Sequence, residues 1–173
     1  EYSKHQLEAR VTSRYPQFAF MFLCVDPSNS ASSRLHFTQL AMQDPRLQDS
    51  HSPVLLMDGH TFFTCDLVSA YQGSGNVIFG CQTNQQHAQP LSQSVGPSCF
   101  LSINAAEPPL VQSLGTELAS NGFECCGTFC FESLEVMRSY SQKAVAADAQ
   151  AEMGSVVAAM LADGHAFGFQ RIF

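Results

Sequence analysis

The apolar residues of this chain come in short runs closed by turn-forming dipeptides, and that punctuation constrains its fold more than any other feature. The longest run, Phe18 to Val25, has eight residues and ends at Asp26-Pro27. Others close at Asp44-Pro45, Asp58-Gly59, Asn121-Gly122 and Asp163-Gly164. A bilayer-spanning helix needs about 20 apolar residues, so none of these runs spans a membrane. Continuous runs such as Phe18–Val25 have the form of strands buried on both faces. Val54–Met57, Val77–Cys81, Cys99–Ile103 and Phe123–Phe131 read as further strands, and His165–Phe173 as an alternating last one. Around Asp58-Gly59 two readings stand: a hairpin from Val54 to Cys65, or one strand feeding a loop.

Between the strands lie helical patterns. Ser3–Arg14 carries Leu7 and Val11 four apart, with Pro16 beyond; Ser30–Met42 places Leu35 and Gln39 on one line after hydroxyl and amide caps. Pro108-Pro109 reads as the start of a helix with Leu110, Leu114 and Leu118 at every fourth position. Ser133–Leu161 reads as an Ala-rich helix with Leu134, Met137, Val145, Val156 and Met160 turned inward and a break near Gly154. The alternation of strand and helix predicts an α/β fold, a three-layer domain with a mainly parallel or mixed sheet. Residues 1–173 form a single domain in this reading, with a long exposed loop near 82–97.

The segment Phe100–Asn104, followed by Pro108–Gly127, resembles the first strand-helix-strand unit of receiver-type and flavodoxin-like domains. The likeness implies a fold only. Receivers place acidic residues after that strand, where this chain has Ala105 and Ala106, so receiver-type phosphotransfer is not expected.

Charge narrows the function classes. The net charge is −7, and the eight basic residues are scattered, so a phosphate-backbone footprint is missing and nucleic acid is not an expected partner. Seven cysteines, an odd number, sit inside apolar runs, as Cys24 and Cys81 do; they read as reduced core thiols. A cytoplasmic or organelle-interior home follows as an expectation. The chain opens at Glu1 without Met, which is read as a processed or trimmed start.

Several motifs offer chemistry. Asp26-Pro27-Ser28-Asn29-Ser30 resembles the Asp-x-Ser-x-Ser motif of von Willebrand A-type domains, which implies a divalent cation such as Mg held by Asp26, Ser28 and Ser30. The same stretch resembles the hydroxyl-rich phosphate loop of flavodoxins, which implies FMN phosphate held by Ser28, Ser30, Ser32 and Ser33. Ala31 stands where flavodoxins carry Gly, and the chain has no Trp for stacking on a flavin. The plainer reading is that these serines cap the following helix. His36-Phe37-Thr38 resembles half of the paired tripeptide of two-histidine phosphoesterases, but no second copy follows. Asp58-Gly59-His60 and Asp163-Gly164-His165 echo one another, which two Asp-Gly turns explain without shared chemistry. In Cys125-Cys126-Gly127-Thr128-Phe129-Cys130, strand alternation sends Cys126 and Cys130 to one face and Cys125 to the other, without the paired spacing of a zinc site.

Composition tips the balance toward association. Only 13% of residues are charged, against roughly 25% in an average domain, while 45% are hydrophobic and 14 are Phe. Scarce Lys and surplus aromatics mark interface cores. The preferred reading is therefore a non-enzymatic interaction, assembly or regulatory module, self-associating or binding a protein partner, with Phe167, Phe169 and Phe173 on a contacting edge strand. The rival is a ligand-binding or catalytic domain, its ligand beyond the carboxyl ends of the strands, near Asp26–Ser33, Asn104 and Asp58.

Overall fold

A computed structural model describes residues 4–22, 34–47, 51–57, 65–71, 75–82, 99–116 and 122–172. Among these residues are five helices and six strands: α1 (Lys4–Arg14), α2 (Arg34–Met42), β1 (Val54–Met57), α3 (Leu67–Tyr71), β2 (Asn76–Gln82), β3 (Phe100–Ile103), β4 (Val111–Gly115), β5 (Phe123–Phe131), α4 (Leu134–Ala147), α5 (Met153–Ala162) and β6 (Phe167–Arg171). The strands form one mixed, open sheet in the order β4-β3-β5-β2-β6, with β1 also paired to β5. The α/β architecture read from the sequence is the one observed. It is mixed rather than mainly parallel, because only β2 and β6 run parallel and every other pair is antiparallel.

β5, with apolar residues on both sides, is the centre of the sheet and pairs with β1, β2 and β3. Phe129 and Phe131 join Ile78, Leu101 and Phe167 in a large core under α2, α4 and α5, filled from the helices by Leu35, Met137, Val156 and Met160. Cys130 faces the other way, into a smaller core with Phe79, Ile172 and Leu67 of α3. Helices therefore cover both faces, giving three layers. α3 is a short helix that Asp66 nucleates: its carboxylate accepts from the Val68 and Ser69 amides, both at 3.1 Å. Asn76 ties the start of β2 to both neighbours, donating to the Ala166 carbonyl at 3.3 Å and accepting from the Glu132 amide at 3.1 Å.

Three expectations are corrected. Leu110, Leu114 and Leu118 do not mark a helix: Val111–Gly115 is β4, in a hairpin with β3. A spacing of four fits one face of a strand as well as one face of a helix. Asn104 settles the choice, its side-chain oxygen accepting from the Leu110 amide at 2.8 Å and the Ala106 amide at 3.2 Å, which folds the chain back on itself. The helix expected over Ser133–Leu161 is two helices. Ser133 is the N-cap of α4, but the break falls at Asp148, whose carboxylate accepts from the Gln150 amide at 2.8 Å, and Gly154 lies inside α5. The strand expected over Phe18–Val25 is absent from its described part, residues 18–22. Phe18 is 60% exposed there, and Phe18, Phe20 and Phe22 contact one another instead, at 6.3 and 6.2 Å between successive rings. The loop near 82–97 falls almost wholly outside the described residues.

Candidate functional site

The sheet is interrupted at its middle. β2 pairs with both halves of β5, but Phe79 faces Thr128 while Gly80 faces Cys125, so Cys126 and Gly127 bulge out of the ladder. Gly127 adopts φ +70°, the left-handed region in which a side chain would be strained. On the opposite edge of β5, two strands share the space that one would fill. β1 lies against Thr128–Phe131 and β3 against Phe123–Glu124. β1 and β3 run the same way, so the carboxyl end of β1 comes out at the bulge, in the interior of the sheet, just where β3 begins.

The bulge carries the polar groups of the sheet. Glu124 is 2% exposed and Thr128 0%, and among the described residues neither carboxylate oxygen of Glu124 nor the Thr128 hydroxyl has a hydrogen-bond partner. By strand alternation both side chains face the α3 side, as Cys126 and Cys130 do. Buried polar atoms are nearly always paired, and orphans tend to mark functional positions. Run-based reading passed over Glu124 and Thr128 because each is a single polar residue in an apolar strand. The usable signal was the acid itself, since a carboxylate in a strand buried on both faces is costly.

Thiols gather at the same place, divided between the faces as alternation predicts. Cys126 packs with the smaller core and Cys125 with the larger. The Cys126 thiol donates to the Glu124 carbonyl at 4.0 Å; its interaction with Cys81 holds Cys81 below the usual thiol range and, reinforced by burial, pushes Cys126 far above it. All six described cysteines are free. Among the described residues no three metal-ligating side chains converge.

The other candidates are dispersed. Asp26, Ser28, Ser30, Ser32 and Ser33 lie outside the described residues, as do Asp58-Gly59-His60 and Phe173. Asn104 is occupied in the β3–β4 turn. Asp163 caps the end of α5 and accepts from the Tyr140 hydroxyl at 2.6 Å, with the His165 ring edge-on to Tyr140 at 5.4 Å; Gly164 follows at φ +89°. That Asp-Gly-His turn is an ordinary helix stop. Phe167 and Phe169 are not surface rings: both are buried in the larger core, since every second residue of β6 faces the helices. The outer edge of β6 is also engaged, the Phe169 amide donating to the Pro109 carbonyl at 2.9 Å. A cleft lined by Met42, Asp44, Leu47 and Arg138 offers no free cation, because the Arg138 guanidinium donates to the Met42 and Leu47 carbonyls at 2.9 and 3.3 Å.

No helix among the described residues is long and apolar enough to cross a membrane. No family model matches the chain, and no curated protein sequence matches it. Among solved structures, the inositol-1-phosphate CTP transferase from T. maritima superposes with a TM-score of 0.61 over 96% of this chain, at 10% sequence identity. The chain spans 61% of the length of that structure, and at this identity the likeness shows a shared fold.

Proposed function

We propose that this chain forms part of a nucleotidyl-transfer enzyme and binds a nucleoside triphosphate over the carboxyl end of β1. The observation that carries the reading is the split beside β5. In open α/β sheets, ligands sit in the crevice beyond strand carboxyl ends where neighbouring strands part, and β1 ends there, beside the bulge and beside Glu124 and Thr128, which have no side-chain partner among the described residues. Asp58, the residue after β1 in sequence, supplies the carboxylate. The shared fold with a CTP-using transferase supports the nucleotide over the flavin alternative.

A divalent cation suits the oxygen donors of this region, Asp58 foremost, and when bound would offset triphosphate charge that a chain of net charge −7 is poorly equipped to meet. The residues themselves bind and orient. Asp58, next after β1 in sequence, is the residue assigned to the phosphates, and the β5 bulge lies beside the end of β1. The test is thermal melting of the chain with magnesium and each of CTP, ATP, GTP and UTP. A bound ligand at 100 times its Kd adds about 2.7 kcal/mol, which for a chain of this size raises Tm by about 5–10 °C. Asp58→Asn is expected to remove that rise while leaving the ligand-free Tm unchanged. No shift with any of the four nucleotides, or a full shift in Asp58→Asn, contradicts the reading.

A second reading, association with a protein partner or a second copy, is supported by exposed apolar side chains, Phe18 at 60% and Val68 at 73%. Native mass measurement tests it: a dimer or larger species at micromolar concentration supports association, and a strict monomer removes it.

A further inference from the structure

We propose that Cys99 and Cys125 are a peroxide-oxidisable pair that forms a reversible disulfide stapling β3 to β5. The placement is direct. β3 and β5 pair Leu101 with Phe123 and Phe100 with Glu124, so one step further along the same antiparallel register Cys99 stands opposite Cys125. The Cys125 amide donates to the Cys99 carbonyl at 2.8 Å, which fixes the two backbones as neighbours. Opposed residues in a hydrogen-bonded antiparallel pair have Cα atoms about 5.5 Å apart, inside the roughly 4.4–6.8 Å that a disulfide spans. Both side chains lie on one face, and both residues are half-buried. α5 packs over Cys99 through Gly154, where an added Cβ would lie 3.9 Å from the Cys99 sulfur.

The two sulfurs are also set in different roles. The Cys125 thiol hydrogen-bonds to the Cys99 sulfur, which holds Cys99 below the ordinary thiol value, while donating that bond, together with burial, keeps Cys125 protonated well above it. Cys99 is the nucleophile. Its thiolate attacks one peroxide oxygen, the O–O bond breaks, and the departing hydroxide takes up the proton that Cys99 released, leaving as water. Cys125 then attacks the sulfenic sulfur of Cys99: the S–S bond forms, the S–O bond breaks, and the leaving oxygen departs as water with the Cys125 proton. Two thiols lose two electrons to one peroxide, and two waters result.

The neighbouring pair is a built-in contrast. Cys81 stands opposite Glu124, so Cys126 is its diagonal neighbour. Cys126 sits in the bulge, out of the ladder, so the regular register that sets Cys99 opposite Cys125 does not bring it opposite Cys81. Those thiols can share a hydrogen bond, but they are expected to stay reduced.

The experiment treats the fully reduced native chain with hydrogen peroxide, alkylates the remaining thiols under denaturing conditions, and maps the peptides by mass spectrometry without reduction. The expected result is a Cys99 peptide linked to the Cys125-Cys126 peptide, loss of two of the seven thiols, and recovery of all seven after dithiothreitol. Cys126→Ser should keep the link and Cys99→Ser should abolish it. Recovery of Cys99 and Cys125 both alkylated at excess peroxide, or a link from the Cys125-Cys126 peptide to Cys81 in place of Cys99, overturns the proposal. Folding of each variant is checked by circular dichroism before oxidation, and Cys125→Ser serves as the second variant that must lose the link.

Discussion

Gly80→Ala lowers the stability of this chain by about 3 kcal/mol, at the upper end of what overpacking one methyl costs. Gly80 sits in β2 opposite the bulge of β5, where two strands and β6 converge on one point. A Cβ there would lie 2.8 Å from the Glu124 carbonyl oxygen, 2.8 Å from the Phe169 ring and 3.1 Å from the Leu101 side chain. The ring and the leucine could turn aside at some cost. The carbonyl belongs to the ladder and cannot. For a chain of this length the loss corresponds to a Tm lower by about 6–12 °C. Gly168→Ala is the control, because its Cβ would meet nothing nearer than the Val77 methyl at 3.6 Å, and an alanine that fits without strain is neutral or slightly stabilising. Denaturant unfolding of the two variants beside the parent measures the difference. Equal stabilities would mean that the strands do not close on Gly80 as described.

Phe167→Ala is expected to cost more, about 3–5 kcal/mol, the range for truncating a buried aromatic. Phe167 is fully buried and meets the Phe131 ring edge-on, with centroids 6.0 Å apart at 89°. The substitution also separates two meanings of the same residue. As an interface ring, its loss would leave the monomer's stability unchanged and weaken assembly. As a core ring, its loss unfolds the monomer at lower denaturant while any assembly-independent property follows stability alone. The measurement is the midpoint of guanidinium unfolding, read at two protein concentrations so that assembly does not enter.

Phe167 shows what a sequence of this kind conceals. The alternation of His165–Phe173 was legible and gave β6, but alternation says only that one side is apolar, not whether that side meets the chain's own helices or a partner. Phe123–Phe131 was legible to the residue because its apolar run lies between the Asn121-Gly122 turn and the helical pattern that starts at Ser133. β4 was misread because a leucine spacing of four satisfies both helical and strand periods, and the deciding contact, Asn104 with Leu110, is a side-chain detail. Strand order was hidden for a different reason. Pairing β1 and β3 to the same edge of β5 joins segments far apart in sequence, and periodicity determines which face is buried, never which neighbour is found. The candidate site inherits that blindness: Glu124 and Thr128 gain meaning only when β1 and β3 part beside them.

The most direct test of the site is hydrogen exchange of the chain read by mass spectrometry, with and without magnesium and the nucleoside triphosphate that raises Tm. The account predicts slowed exchange in peptides covering 54–64 and 122–130, with the α4 and α5 peptides unchanged. Protection confined to other segments, or none in either of those peptides with the nucleotide bound, would contradict the placement of the site at the carboxyl end of β1.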